Sequence, residues 1–136
     1  MNKAKAKGTS FETAVKKYLL EHGIESRRLA LSGAKDVGDL EISSPFIAIV
    51  EAKAYKNALT EGQELEFRSQ TEVEQKNYKD AFRINNEVKG LLCTKSTGQS
   101  IARARVQFYS TRYNCWVETR LGDFVAHYKE MLDDIR

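Results

Sequence analysis

Apolar residues change their spacing several times along the chain, and each change predicts an element. Phe11, Ala14, Val15, Tyr18 and Leu19 recur at helical intervals, which predicts a helix to about Glu21 with His22-Gly23 as its stop. Thr9-Ser10-Phe11-Glu12 has the form of a capping box, a hydroxyl followed three positions later by Glu, with residues 1–7 expected as a flexible basic tail before it. Ser26 to Leu31 reads as a first strand and Ser32-Gly33-Ala34-Lys35 as a turn. Asp39 leads a second short strand, Leu40-Glu41-Ile42. After Ser43-Ser44-Pro45, the run from Phe46 to Val50 reads as a strand buried on both faces that ends in Glu51-Ala52-Lys53. A polar stretch precedes a helix from about Glu66 to Phe82, with Val73, Tyr78, Ala81 and Phe82 as a thin apolar stripe. Val88 to Thr94 predicts a fourth strand, Ser100 to Gln107 a short helix, Cys115 to Thr119 a last strand and Asp123 to Met131 a closing helix. Three consecutive strands followed by a helical crossover to another predict an α/β fold, a mixed central β-sheet flanked by helices.

Composition narrows the class without naming an activity. At 136 residues, with 41% hydrophobic and 30% charged positions, residues 8–136 are expected to form one globular domain. No apolar run approaches the ~20 residues that span a bilayer, and no apolar core follows the basic N-terminus as in a secretory signal. A cytoplasmic protein without a membrane partner is the expectation. Cys93 and Cys115 lack metal-ligand spacing, and Cys93 lies in an apolar run that suits a buried free thiol. His22 and His127 stand apart on helices and form no cluster, which argues against zinc. The net charge of +3 says little, but Arg27, Arg28, Lys35, Lys53 and Lys56 gather near predicted strand ends, where they suit a polyanion. Taken singly, each also fits an ordinary solvated surface.

The chemistry concentrates in the second hairpin. In an antiparallel pair the start of one strand lies beside the end of the next, so Asp39 is expected beside Glu51. Alternation puts Glu51 and Lys53 on one face and Ala52 on the other. Two carboxylates and an ammonium then converge at the end of a buried strand, where charge is costly unless it is paired or binds something. Such oxygens hold a hard divalent cation such as Mg²⁺, and the lysine can orient or deprotonate a water or neutralise developing charge. An acid at a strand start is also a common turn former. Asp36 and Glu41 are neighbouring acids; Glu41 shares the Asp39 face, but Asp39 lies nearer the strand end.

Four blocks in order give the chain a resemblance to the PD-(D/E)XK nuclease superfamily, and within it to the small Holliday junction resolvases of archaea and phages. They are Lys7-Gly8-Thr9-Ser10-Phe11-Glu12, Leu31-Ser32-Gly33, Gly38-Asp39-Leu40 and Glu51-Ala52-Lys53. The resemblance implies a restriction-endonuclease-like αβββαβ core. It implies Asp39 and Glu51 as metal ligands with the Ala52 carbonyl, Glu12 as a third acid, Lys53 at the water and Ser32 in a loop near the scissile phosphate. It further implies Mg²⁺ as cofactor with Mn²⁺ as a substitute, branched or duplex DNA as substrate, a homodimer, and a phage or mobile-element origin. Lys7, Arg27, Arg28, Lys35 and Lys56 are then candidate DNA contacts, and Gln75 stands where many members carry a glutamine near the site. Glycine replaces the proline that often precedes the aspartate, a common variant. The segment from Tyr55 to Glu74 is longer and more acidic than in the smallest resolvases and the chain after Lys95 matches poorly; this weak match after Lys53 leaves other duplex or flap nucleases as an alternative, and a non-cutting DNA-binding module is a third reading. Glu12 can also serve the capping box alone. Tyr109, Tyr113 and Trp116, interleaved with Arg112, fit a strand core and rim as well as base stacking.

Overall fold

The computed structural model describes the backbone of residues 3–30 and 36–136, and side chains within those ranges from residue 10 onward. The elements run α1 (Lys3–Glu21), β1 (Ser26–Arg28), β2 (Leu40–Ile42), β3 (Ala48–Tyr55), α2 (Glu61–Ala81), β4 (Lys89–Ser96), a 3₁₀ turn (Ile101–Arg103), β5 (Arg105–Ser110), β6 (Cys115–Arg120), α3 (Leu121–Ala126) and α4 (Tyr128–Asp134). The six strands form one sheet in sequence order. β3 and β4 are parallel, joined by the α2 crossover, and every other neighbouring pair is antiparallel. The architecture is α/β, a mixed sheet with helices on both faces, and its first six elements have the order αβββαβ.

Alternation along β3 divides the two faces. Ala48, Val50 and Ala52 turn toward α1, α3 and α4, where Phe11, Val15, Leu19, Phe124 and Leu132 complete the main core. Ile49 turns the other way and meets Val37, Val88 and Tyr78 of α2 in a smaller cluster. Glu51 and Lys53 follow Ile49 on this α2 side.

Several elements depart from the sequence expectation. α1 begins at Lys3, so positions 3–7 belong to the helix rather than to a tail; alternating Ala and Lys are strong helix formers. Thr9 therefore lies inside α1 rather than at its start. Among the described residues a capping box stands at α2, where Thr60 Oγ1 accepts from Gln63 N at 3.1 Å and Gln63 Oε1 accepts from Thr60 N at 2.9 Å. Val73 and Phe82, expected on the inner stripe of α2, are exposed, and Thr71, Glu74 and Tyr78 are the buried ones. The helix expected over Ser100–Gln107 is reduced to one 3₁₀ turn, and Arg105–Ser110 is a strand whose Val106 and Phe108 enter the core. The closing helix is split at His127 into α3 and α4.

Candidate active site

The register brings the expected acids together. Leu40 pairs with Val50, and one step further Asp39 N donates to Val50 O at 2.9 Å. β2 starts at the next residue, Leu40, and Asp39 extends the pairing with its side chain: Oδ2 accepts from Ala52 N at 2.8 Å. A strand directs the N–H and C=O of one residue to the same neighbour, so the Ala52 carbonyl faces the Asp39 side as well. Gly38, at φ +103°, makes the turn into Asp39 in a conformation that L side chains rarely adopt, and a Cβ there would stand 3.3 Å from Ile49 Cδ1.

Glu51 is 2% exposed, opposite the end of β2. Lys53 Nζ lies 3.1 Å from Glu51 Oε1 and 5.4 Å from the centroid of the Phe67 ring on α2. Glu51 Oε2 is buried and has no hydrogen-bond partner among the described residues. Such an atom is rare in a folded protein and marks a place for an outside partner.

Charge crowding sets the titration. Burial, then repulsion from Glu51, pushes the Asp39 carboxyl up to about 7; Glu12 on α1 adds to the rise, against the Ala52 N–H and Lys53. For Lys53, burial opposes the charge, but Glu51 outweighs it, with Asp39 and Glu74 adding, and holds the ammonium above its ordinary value. Lys53 is thus a fixed positive charge at neutral pH. The donor set fits a hard divalent cation: two carboxylates, a carbonyl turned to the same side, and an orphaned buried oxygen, with no soft ligand among them.

Glu74 of α2 also reaches this site, which the sequence reading did not anticipate. It is 1% exposed, and one of its oxygens lies in a cluster with oxygens of Asp36 and Glu51, all within 4.8 Å of one another. Gln75, expected near the site, instead turns away: its Nε2 donates to the carbonyls of Val88 and Arg136, and its Oε1 packs against Gly90. One residue is about 100° around a helix, so Glu74 rather than Gln75 faces Glu51. The spacing of Phe67, Thr71, Glu74 and Tyr78 carried that signal in the sequence.

The other candidates are scattered. Glu12 is half-buried on α1, with its charge felt at Asp39. The Arg27 guanidinium is engaged bidentately by Glu41 at 3.0 and 2.9 Å, and Arg28 hydrogen-bonds Thr13. Lys56 is exposed just beyond β3. Ser32, Lys35 and the Lys7 side chain lie outside the described residues.

No protein-family model matches the chain, and no curated protein does. Among solved structures, it is similar to Hjc of Archaeoglobus fulgidus, a Holliday junction resolvase from an archaeal hyperthermophile, with 14% identity over 85% of each chain and a TM-score of 0.49.

Proposed function

We propose that this chain is a divalent-cation-dependent endonuclease that hydrolyses phosphodiester bonds in DNA, acting on four-way junctions as a homodimer. The observation that carries the nuclease reading is the pairing of half-buried Asp39 with buried Glu51, one of whose oxygens lacks a partner among the described residues, beside a lysine held in its charged form. The order of the four sequence blocks, from Lys7 to Lys53, supports the junction substrate. Two cuts related by symmetry require two sites, which a two-fold dimer supplies.

Asp39, Glu51 and the Ala52 carbonyl would hold the cation, with Mg²⁺ the natural choice for oxygen ligands that leave room for water and phosphate. When bound, it supplies charge for the transferring phosphoryl group and lowers the pKa of a bound water. The chain supplies the rest. The Ala52 N–H fixes the orientation of the Asp39 carboxylate. Lys53 orients the attacking water and neutralises charge as it develops on the phosphate oxygens. Glu12 stands at the α1 side of the site, where it can take a proton or hold a water. Water attacks in line, the P–O3′ bond breaks, and the products carry 5′-phosphate and 3′-hydroxyl ends.

The test is cleavage of a labelled four-way junction beside a linear duplex of the same sequence, with Mg²⁺ or EDTA, by wild type and Glu51→Gln. Paired symmetric nicks in the junction alone, lost in EDTA and in the variant, are expected. Equal cutting of linear duplex would keep the chemistry and move the function to a general duplex nuclease. Tight junction binding without cutting would leave a DNA-binding module.

A further inference from the structure

β4 carries a buried hydroxyl that the fold leaves unserved. Leu91 and Cys93 enter the main core, so alternation turns Gly90, Leu92 and Thr94 to the α2 side, where Gly90 faces Thr71 and Gln75. Thr94 is 0% exposed, and its Oγ1 has no hydrogen-bond partner among the described residues. Gln107 Nε2 on β5 also lacks one, but the Oε1 of the same amide accepts from Arg68 Nε at 2.9 Å. For Thr94 the orphaned atom is the only polar atom of the side chain. A buried hydroxyl in this state costs stability that valine, the same shape without the oxygen, would not.

The register names its neighbours. Thr94 pairs with Lys53 on β3 and with Arg105 on β5. Arg105 is committed elsewhere, its guanidinium held by Glu64 and Glu118. Lys53 is only partly engaged. An ammonium has three N–H donors, and among the described residues Lys53 Nζ has one carboxylate within ion-pair distance, Glu51 Oε1 at 3.1 Å. Paired positions on neighbouring strands stand about 5 Å apart with their side chains on one face, so the hydroxyl and the Lys53 chain adjoin. The Phe67 ring, 5.4 Å from Nζ, offers the ammonium a face but no hydrogen-bond acceptor of comparable strength. The spare donors of Lys53 and the spare acceptor of Thr94 thus arise from adjacent positions of one sheet face.

We propose that Thr94 is a positioning residue for Lys53: its Oγ1 accepts from the ammonium when Glu51 is engaged elsewhere, and so keeps that charge ordered beside the reacting phosphate. The inference rests on the reading of Glu51 as a cation ligand and of Lys53 as the charge that meets the phosphate. A Glu51 engaged by a cation holds the ammonium less well. A flexible four-carbon stem with no second acceptor would then lose its aim. Thr94 touches no substrate and acts through Lys53 alone. Its hydroxyl destabilises the empty protein and orders the working one.

The test compares Thr94→Val and Thr94→Ser with wild type in three measurements. In EDTA, Thr94→Val is expected to melt about 2–5 °C above wild type. On DNA with Mg²⁺, it is expected to lose about 10-fold or more in kcat with KM and the Mg²⁺ dependence unchanged, while Thr94→Ser stays near wild type. With Mg²⁺ and no DNA, nuclear magnetic resonance of ¹³C-lysine-labelled protein reads the mobility of the Lys53 ε-methylene, its signal identified by loss in Lys53→Arg. That methylene is expected to be more mobile in Thr94→Val alone. A Thr94→Val protein that melts higher and cuts like wild type overturns the proposal and leaves a hydroxyl with no part in the reaction. Lost turnover with Lys53 equally ordered overturns it as well. If wild type cuts no DNA, the nuclease reading falls, and Lys53 mobility by itself decides whether Thr94 holds it. Should Thr94→Val fail to fold, Thr94→Ala beside Thr94→Ser is judged by the same turnover and mobility.

Discussion

Glu41 and Glu51 are two buried glutamates on one face of adjacent strands, and the protein treats them in opposite ways. Glu41, opposite Ile49, receives two hydrogen bonds from Arg27, one from Ser43 at 2.8 Å and one from the Tyr78 hydroxyl. Burial opposes its charge, but the Arg27, Tyr78 and Ser43 bonds prevail and keep it below the ordinary carboxylate range. Among the described residues, Glu51 receives one ammonium, keeps one oxygen bare and is crowded by acids. The same helix serves both: Tyr78 brings a donor to Glu41, and Glu74, a turn earlier, brings another acid to Glu51. A carboxylate meant to hold the fold together is satisfied from within. One left short of donors at equal burial is arranged for something that arrives from outside.

The largest test of that contrast removes charge from the unsatisfied side. Asp39→Asn should lower cleavage by about 10³-fold or more, measured as initial rate on DNA at saturating Mg²⁺, because a neutral amide holds the cation far more weakly than a carboxylate. Lys53→Ala should cost about 10²-fold in turnover, with cation affinity unchanged or tighter in a Mg²⁺ titration, because a positive charge beside the site is lost. On the satisfied side, Glu41→Gln should leave cleavage intact while the protein is folded. It should lower stability by about 2–3 kcal/mol in urea unfolding, a value kept small by the exposure of Arg27.

The smallest effect is a difference of sign with pH. Glu41 is held below its unfolded value, so its contribution is present above about pH 4.5 and is lost as pH falls through its folded pKa. Asp39 is raised, so its contribution is present below its unfolded value of 3.8 and is lost as pH rises toward about 7. Glu74 extends the loss toward about 10. In EDTA, the melting temperature should therefore peak at mildly acidic pH and decline as pH rises. Asp39→Asn should flatten the decline between about pH 4 and 7, and a divalent cation should raise the melting temperature most at the alkaline end. A profile that climbs to neutral pH in EDTA would mean the acids around Glu51 are not crowded.

The hairpin that carries Asp39, Glu51 and Lys53 was legible because period-two alternation fixes both face and register, and a slip of one residue would bury the wrong set. Beyond it, legibility fell where two signals compete. Arg105–Ser110 alternates as a strand does, but Ile101, Ala102 and Ala104 just before it are spaced like a helix and draw the reading that way. Glu74 was obscured by its setting, an α2 rich in Glu, Gln and Lys where one more acid looks like a solvated face. Only its phase with Thr71 and Tyr78 separates it from Glu72, which is exposed. Gln75 was misplaced by that same single residue. The bond of Arg27, expected as a DNA contact, to Glu41 was not legible because the two lie fourteen positions apart, a distance that the β1–β2 register closes.

The bond from Ala52 N to Asp39 Oδ2 has a thermodynamic consequence. A carboxylate already pinned by the main chain loses little rotameric freedom when a cation arrives, and Gly38 and the β3 ladder fix the backbone behind it. Cation capture at Asp39 should therefore be preorganised, with a heat-capacity change near zero and no gain of secondary structure, as for a rigid receptor rather than a loop that folds around its ligand.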